Sequence, residues 1–173
     1  MIIGVTFVPG MAHRTRDRRD METTRTDRII VGVDGSASSV EALRYAAPLA
    51  DALNRPLHVV TTWTAPPIDP YAAIEWSPEQ DAEEILGGSI RKAFGGRPPA
   101  GMTQRTLLGA PARTLIGLSE NCYMLVLGSR GHGGFAGLLL GSVSAACAEH
   151  AHCPVLIVHT RKTATADGDD VRL

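Results

Sequence analysis

The chain has 173 residues, 44% of them hydrophobic and 20% charged, with a formal net charge of −1. That is the composition of one ordinary globular domain, large enough to bury a core. So small a charge gives no electrostatic case for nucleic acid or an anionic membrane as main partner, and no apolar run approaches the roughly 20 residues of a membrane span.

Residues 1 to 27 are dense in Arg, Asp and Thr and carry no amphipathic period, which reads as a disordered extension. The apolar start Met1 to Gly10 lacks the basic residues that lead a secretory signal, since Arg14, Arg16, Arg18 and Arg19 come after it. Cytoplasm is the expected compartment, and Met21, just before the first strand, offers an alternative start. From Arg28 the pattern becomes regular. Ile29 to Val33 reads as an apolar strand ending at Asp34, and Ser36 to Leu53 as a helix with Val40, Leu43, Ala47 and Ala50 on one face. Asn54-Arg-Pro56 stops that helix before a second strand, Leu57 to Trp63, and a proline-rich loop runs from Ala65 to about Trp76.

Ser77-Pro-Glu-Gln80 opens a second helix with a capping-box pattern and proline at its first position. Acidic residues lead that helix and Arg91 and Lys92 end it, in accord with the dipole, although Gly87-Gly88 in its middle lowers its helix propensity. Thr103 to Leu108 reads as the third strand, Gly109-Ala-Pro111 as the start of a helix to Ser119, and Tyr123 to Leu127 as the fourth strand. Ser142 to His150 follows as the last helix and Pro154 to His159 as the fifth strand, with a polar tail, 160–173. Strands alternating with helices, each strand apolar on both faces, indicate a five-stranded, parallel, doubly wound α/β sheet with helices on both faces. The expected domain is therefore 28–159.

Ligands of such sheets sit outside the C-terminal ends of the strands, at the switch in strand order. Three candidate loops lie there: Gly32-Val33-Asp34, Thr61-Thr62-Trp63, and the run from Gly128 to Ser144. The last has six glycines, follows an apolar strand and leads into a helix. A strand, a glycine-rich turn and a helix N-terminus together form a phosphate cradle: glycine permits φ > 0 and close approach, and the helix amides face the anion. A P-loop is excluded because neither Lys92 nor Lys162 follows a glycine, and a dinucleotide fingerprint is excluded because the first turn offers only Gly32-x-x-Gly35.

Side-chain chemistry leaves alternatives at several positions. Asp34 suits amino or hydroxyl hydrogens of a nucleoside, and equally suits a turn or helix cap. Arg130 can pair with phosphate in a forked geometry or stay solvated. Ser142 can meet phosphate or serve as an N-cap. Cys122, Cys147 and Cys153 are odd in number for a disulfide framework, and Cys147-x₅-Cys153 with His150 and His152 lacks zinc spacing, so buried structural roles are expected.

The pattern Gly128-x₂-Gly131-x₉-Gly141-Ser142, with Val31-Gly-Val-Asp-Gly-Ser36, closely resembles the universal stress protein family. Gly109-Ala-Pro111 and Cys153-Pro-Val-Leu-Ile-Val158 resemble it too, so the likeness spans Arg28 to His159. It implies the Rossmann-like fold of the adenine nucleotide α-hydrolase type and, through the glycine spacing of the family's ATP-binding branch, ATP or another adenine nucleotide as ligand, with Mg²⁺ left open. Carried over by position, Asp34 would bond the adenosine beside the Gly32 and Val33 backbone, and Thr62 would meet the adenine edge. Gly128, Arg130, Gly131, His132, Gly133 and Gly134 would wrap ribose and phosphates, and Gly141, Ser142, Val143 and Ser144 would supply helix N-terminal amides and hydroxyls. The resemblance further implies a homodimer through the last strand, Pro154 to His159, against a monomer with that edge capped by the tail.

The expected role is that of a nucleotide-dependent regulator in the stress response. No base stands beside a nucleophile and no carboxylate beyond Asp34 is placed for a metal, so no catalytic set is identified; weak ATP hydrolysis stays open. The rival readings are an ATP-using pyrophosphatase-type enzyme, which would carry its glycine loop after the first strand, and a nucleotide-free interaction module.

Overall fold

The computed structural model of the chain describes residues 27–65, 77–131 and 139–160. The expected extension up to residue 26, the loop at 66–76, His132, Gly133 and Gly134, and the tail from 161 lie outside the described residues. Five strands, β1 (Ile29–Gly32), β2 (Leu57–Trp63), β3 (Thr103–Leu108), β4 (Met124–Gly128) and β5 (Val155–Val158), form one sheet. Its order is β3-β2-β1-β4-β5 and every neighbouring pair is parallel. Four helices join the strands among the described residues: α1 (Ala37–Ala52), α2 (Pro78–Phe94), α3 (Pro111–Ser119) and α4 (Ser142–His150).

Alternation along β1 sorts the core into two layers. Ile29 and Val31 point to one face and pack with Leu43 and Ala46 of α1 and Leu86 and Ile90 of α2. Ile30 points to the other, with Val60, Leu125 and Leu127 of the sheet, Leu115 of α3 and Cys147 of α4. The period of 2 in a strand thus covers both faces of the sheet with helices.

Chain order reverses beside β1: β2 and β3 extend to one side, β4 and β5 to the other. The register pairs Gly32 with Leu127, so β1 and β4 end together at the reversal. This is the crevice where an open α/β sheet accepts a ligand.

One sequence expectation changes, and one weakened by glycine is met. The strand β3 is not apolar on both faces: Thr103, Gln104 and Arg105 are exposed, because β3 is an edge strand. The Gly87-Gly88 pair does not break α2, which runs from an N-cap at Ser77 to Gly95 in the left-handed conformation at φ 60°. Four buried residues, Ala82, Leu86, Ser89 and Ile90, anchor the face of α2 that packs on the sheet, and this burial outweighs the weak propensity of two glycines.

Candidate functional site

A cleft of about 340 Å³ lies at the strand-order reversal, within the usual range of small-molecule sites. Every expected site residue among the described residues lines it: Gly32, Val33, Asp34, Thr62, Gly128, Arg130, Gly131, Gly141, Ser142, Val143 and Ser144. They come from the ends of β1, β2 and β4 and the start of α4, four elements that only the sheet order brings together.

The β1 end is a built turn. Asp34 Oδ1 accepts from the Ser36 amide at 3.0 Å and from Ser36 Oγ at 2.6 Å, and Gly35 takes φ 86°. Asp34 is therefore a turn residue, the structural alternative that its sequence context had left open. Its second oxygen faces Gly131, since a Cβ there would stand 2.5 Å from Asp34 Oδ2. Ser36 also caps α1 by accepting from the Ser39 amide at 3.2 Å.

The two loops are laced together. The Arg130 carbonyl accepts from Ser38 Oγ, and from Ser36 Oγ at 3.3 Å. Gly128 lies under the first turn of α1: a Cβ there would meet the Ser38 carbonyl carbon at 2.6 Å and the Ser39 nitrogen at 2.7 Å. The glycines at 128, 131 and 141 are thus used differently from the sequence expectation. None has φ in the left-handed region; the close approach of neighbouring backbone or carboxylate excludes a side chain at 128 and 131.

The α4 start also differs in detail. Gly141, not Ser142, is the N-cap, with no side-chain cap, and its amide donates to the Ser129 carbonyl at 2.8 Å. Ser142 stands exposed at the first helical position. Ser144 is buried and its hydroxyl donates to the Gly128 carbonyl at 2.7 Å, fastening α4 to the end of β4. Among the described residues, the groups that α4 turns toward a ligand are the Ser142 hydroxyl and the first-turn amides of Ser142, Val143 and Ser144. Helix α3 likewise starts without a side-chain cap, at Ala110, and brings Pro111 to the cleft. A carboxylate, an arginine and free helix amides around an apolar floor can hold a molecule with a flat heterocycle, hydroxyls and an anionic end.

Sequence reasoning missed the apolar wall made by Ile85, Pro111, Leu115 and Leu127. Pro111 follows the end of β3 closely and was legible by the strand-end rule. Ile85 comes from the middle of α2 and carries no local signal. Asp34 is the only carboxylate among the described residues that line the cleft. No group of three or more His, Cys, Asp or Glu suited to a metal occurs among the described residues, and no helix there is long and apolar enough to cross a membrane.

The fold is found in known proteins. The model of the universal stress protein family matches residues 25–159, so the chain belongs to the universal stress protein family. A universal stress protein of Mycobacterium tuberculosis is 33% identical over 136 residues, which cover 78% of this chain and 46% of that protein. This chain spans about half the length of the curated relatives it matches. Among solved structures, a universal stress protein in complex with cAMP superposes with a TM-score of 0.59 at 30% identity, covering 79% of this chain and 99% of that one. A universal stress protein from Archaeoglobus fulgidus in complex with dAMP shares the fold, with a TM-score of 0.56 at 21% identity over 78% of this chain and 98% of that one.

Proposed function

We propose that the chain binds an adenine nucleotide, ATP, in the cleft between β1 and β4 and acts as a nucleotide-dependent regulator of the stress response in the cytoplasm. The observation that carries this reading is the convergence of Asp34, Gly131, Arg130 and the uncapped start of α4 on one cleft. The family membership and the 30% identical neighbour in complex with cAMP support it. Adenine lies against Ile85, Pro111 and Leu115 beside the Thr62 backbone, the ribose meets Asp34, and the phosphates meet Arg130 and the amides of Ser142 to Ser144. Free cysteines accord with a reducing compartment.

The role is binding, not turnover. Asp34, itself held in a turn by Ser36, is the single carboxylate lining the cleft among the described residues, and none of those supplies a second acidic group to share a Mg²⁺ ion or to serve as a base. The active unit is a homodimer paired through β5, a half-buried apolar strand at the sheet edge. Freshly purified protein, denatured and analysed by mass, tests the ligand: release of ATP supports the reading, and a protein that neither carries nor takes up any adenine nucleotide overturns it. Phosphate release from ATP with Mg²⁺ tests the role. Turnover in the usual enzymatic range of roughly 1–10³ s⁻¹ would make the protein an enzyme.

A further inference from the structure

On the helix-covered face away from α1, two thiols that are 31 positions apart in the chain meet. Cys122 Sγ, just before β4, lies 3.3 Å from Cys153 Sγ, just before β5. Little more than about 1 Å of approach separates that contact from the ~2.05 Å of a disulfide bond. The surroundings fix the pair in place. Cys122 is buried in the core layer of α3 and α4, and the Ser119 hydroxyl accepts from the His152 amide at 2.8 Å, tying the end of α3 to the turn that carries Cys153. Cys153 is partly exposed, whereas Cys122 and Cys147 are buried.

We infer that Cys122 and Cys153 form an oxidative modification site, a dithiol that a peroxide converts to an intramolecular disulfide. The chemistry divides between the two thiols by access. Cys153, open to solvent, attacks the peroxide O–O bond and becomes a sulfenic acid, releasing water when the peroxide is hydrogen peroxide. Cys122 then attacks the sulfenic sulfur; the S–S bond forms, the S–O bond breaks, and the departing hydroxide leaves as water with the Cys122 proton. Two thiols are oxidised by two electrons and one peroxide is reduced. Burial, then the contact with Cys153, pushes the Cys122 thiol up to about 12, which disfavours Cys122 as the first thiol to react. Cys147, in the same layer, is pushed up to about 11 by burial and then by Cys153.

The ring closed by this bond encloses β4, the glycine turn and α4, so oxidation fastens both ends of the segment that carries the cleft. The test treats reduced full-length protein with hydrogen peroxide and maps its peptides without reduction. The expected product is a Cys122–Cys153 linked peptide lighter by two hydrogen atoms, reversed by dithiothreitol, with a melting temperature raised by about 5–15 °C. Cys147→Ala should leave the cross-link intact. Cys153→Ser should abolish it, and Cys122→Ser should stop the reaction at a Cys153 sulfenic acid that dimedone traps. Cross-links through Cys147, cross-links between chains, or peroxide oxidation of Cys153 to sulfinic acid without joining Cys122 would each overturn the inference. So would a protein that peroxide leaves as free thiols.

Discussion

Alanine at two neighbouring glycines should separate recognition from folding. At Gly131, an added Cβ stands 2.5 Å from Asp34 Oδ2, so the carboxylate must retreat by about 1 Å to reach ordinary contact. Its other oxygen is held by Ser36 at 2.6 and 3.0 Å, which limits the retreat to a rotation away from the cleft. A shift of that size removes a hydrogen bond from the 2.7–3.2 Å range. Losing one to a charged group costs about 1.5–3 kcal/mol, or roughly 10- to 150-fold in affinity. Gly131 is exposed, so the fold has no reason to change. At Gly128 the obstacles are backbone atoms, the Ser38 carbonyl carbon and the Ser39 nitrogen at 2.6 and 2.7 Å. Only movement of α1 relieves them, and overpacking of about 1–3 kcal/mol lowers the melting temperature by roughly 2–12 °C. Calorimetric titration with ATP and AMP, beside thermal melting, reads both effects. A folded Gly131→Ala variant that binds nucleotide as tightly as wild type refutes the pairing of Asp34 with the ligand, and a Gly128→Ala variant with unchanged melting refutes the packing of α1 on the glycine turn.

Asp34→Asn keeps an acceptor for Ser36 and so should fold, while its lost charge weakens nucleotide binding about tenfold or more; titration calorimetry showing equal affinity counts against the ribose contact. His58 is held below its ordinary value of 6.5 by burial, then by Arg28 and Arg105. The native state thus binds this proton less readily than the unfolded chain, and stability should be full above 6.5 and fall as pH drops through the lowered native value. Urea unfolding between about pH 8 and pH 5 should show a smaller acid loss in His58→Gln than in wild type, and equal losses would reject that role. The carbonyl of Pro154, just before β5, accepts from Leu125 of β4 and that of Val158 from Ser129, just after β4, so by alternation Ile157 presents its amide to the open edge. Ile157→Pro should leave a folded monomer by sedimentation, and a persisting dimer would place the interface elsewhere.

Elements bounded by strong local punctuation were legible in the sequence. The bounds of β2, β3 and α4 agree with expectation because Pro56, Gly109 and Gly141 mark their ends. Those of β1, β4 and β5 shift by one residue, since an apolar run carries no sign of where ladder pairing stops. Ser77 could be read as a cap, Ser36 reads as the first helical residue and proves to be the cap of α1, and Ser142 could not be assigned because a preceding glycine took the cap conformation. The glycines of the turn were visible but their reason was not. Their neighbours, Asp34 and the first turn of α1, lie about 90 positions away and are set by strand order. The Cys122–Cys153 contact is hidden in the same way, since nothing local in either segment names its partner.

Two of the four described helices begin in serine caps, and the two that begin at the cleft, α3 and α4, do not. A side-chain cap is worth about 0.5–2 kcal/mol to a helix. The first turn of α4 therefore draws that increment from whatever comes to its amides, water or an anion. A phosphate arriving there completes an element of secondary structure, and by mass action the order of α4 follows the concentration of the visitor. Because α4 leads directly through residues 151–154 into the edge strand β5, an anion held at one end of the helix would steady the rim of the sheet as well.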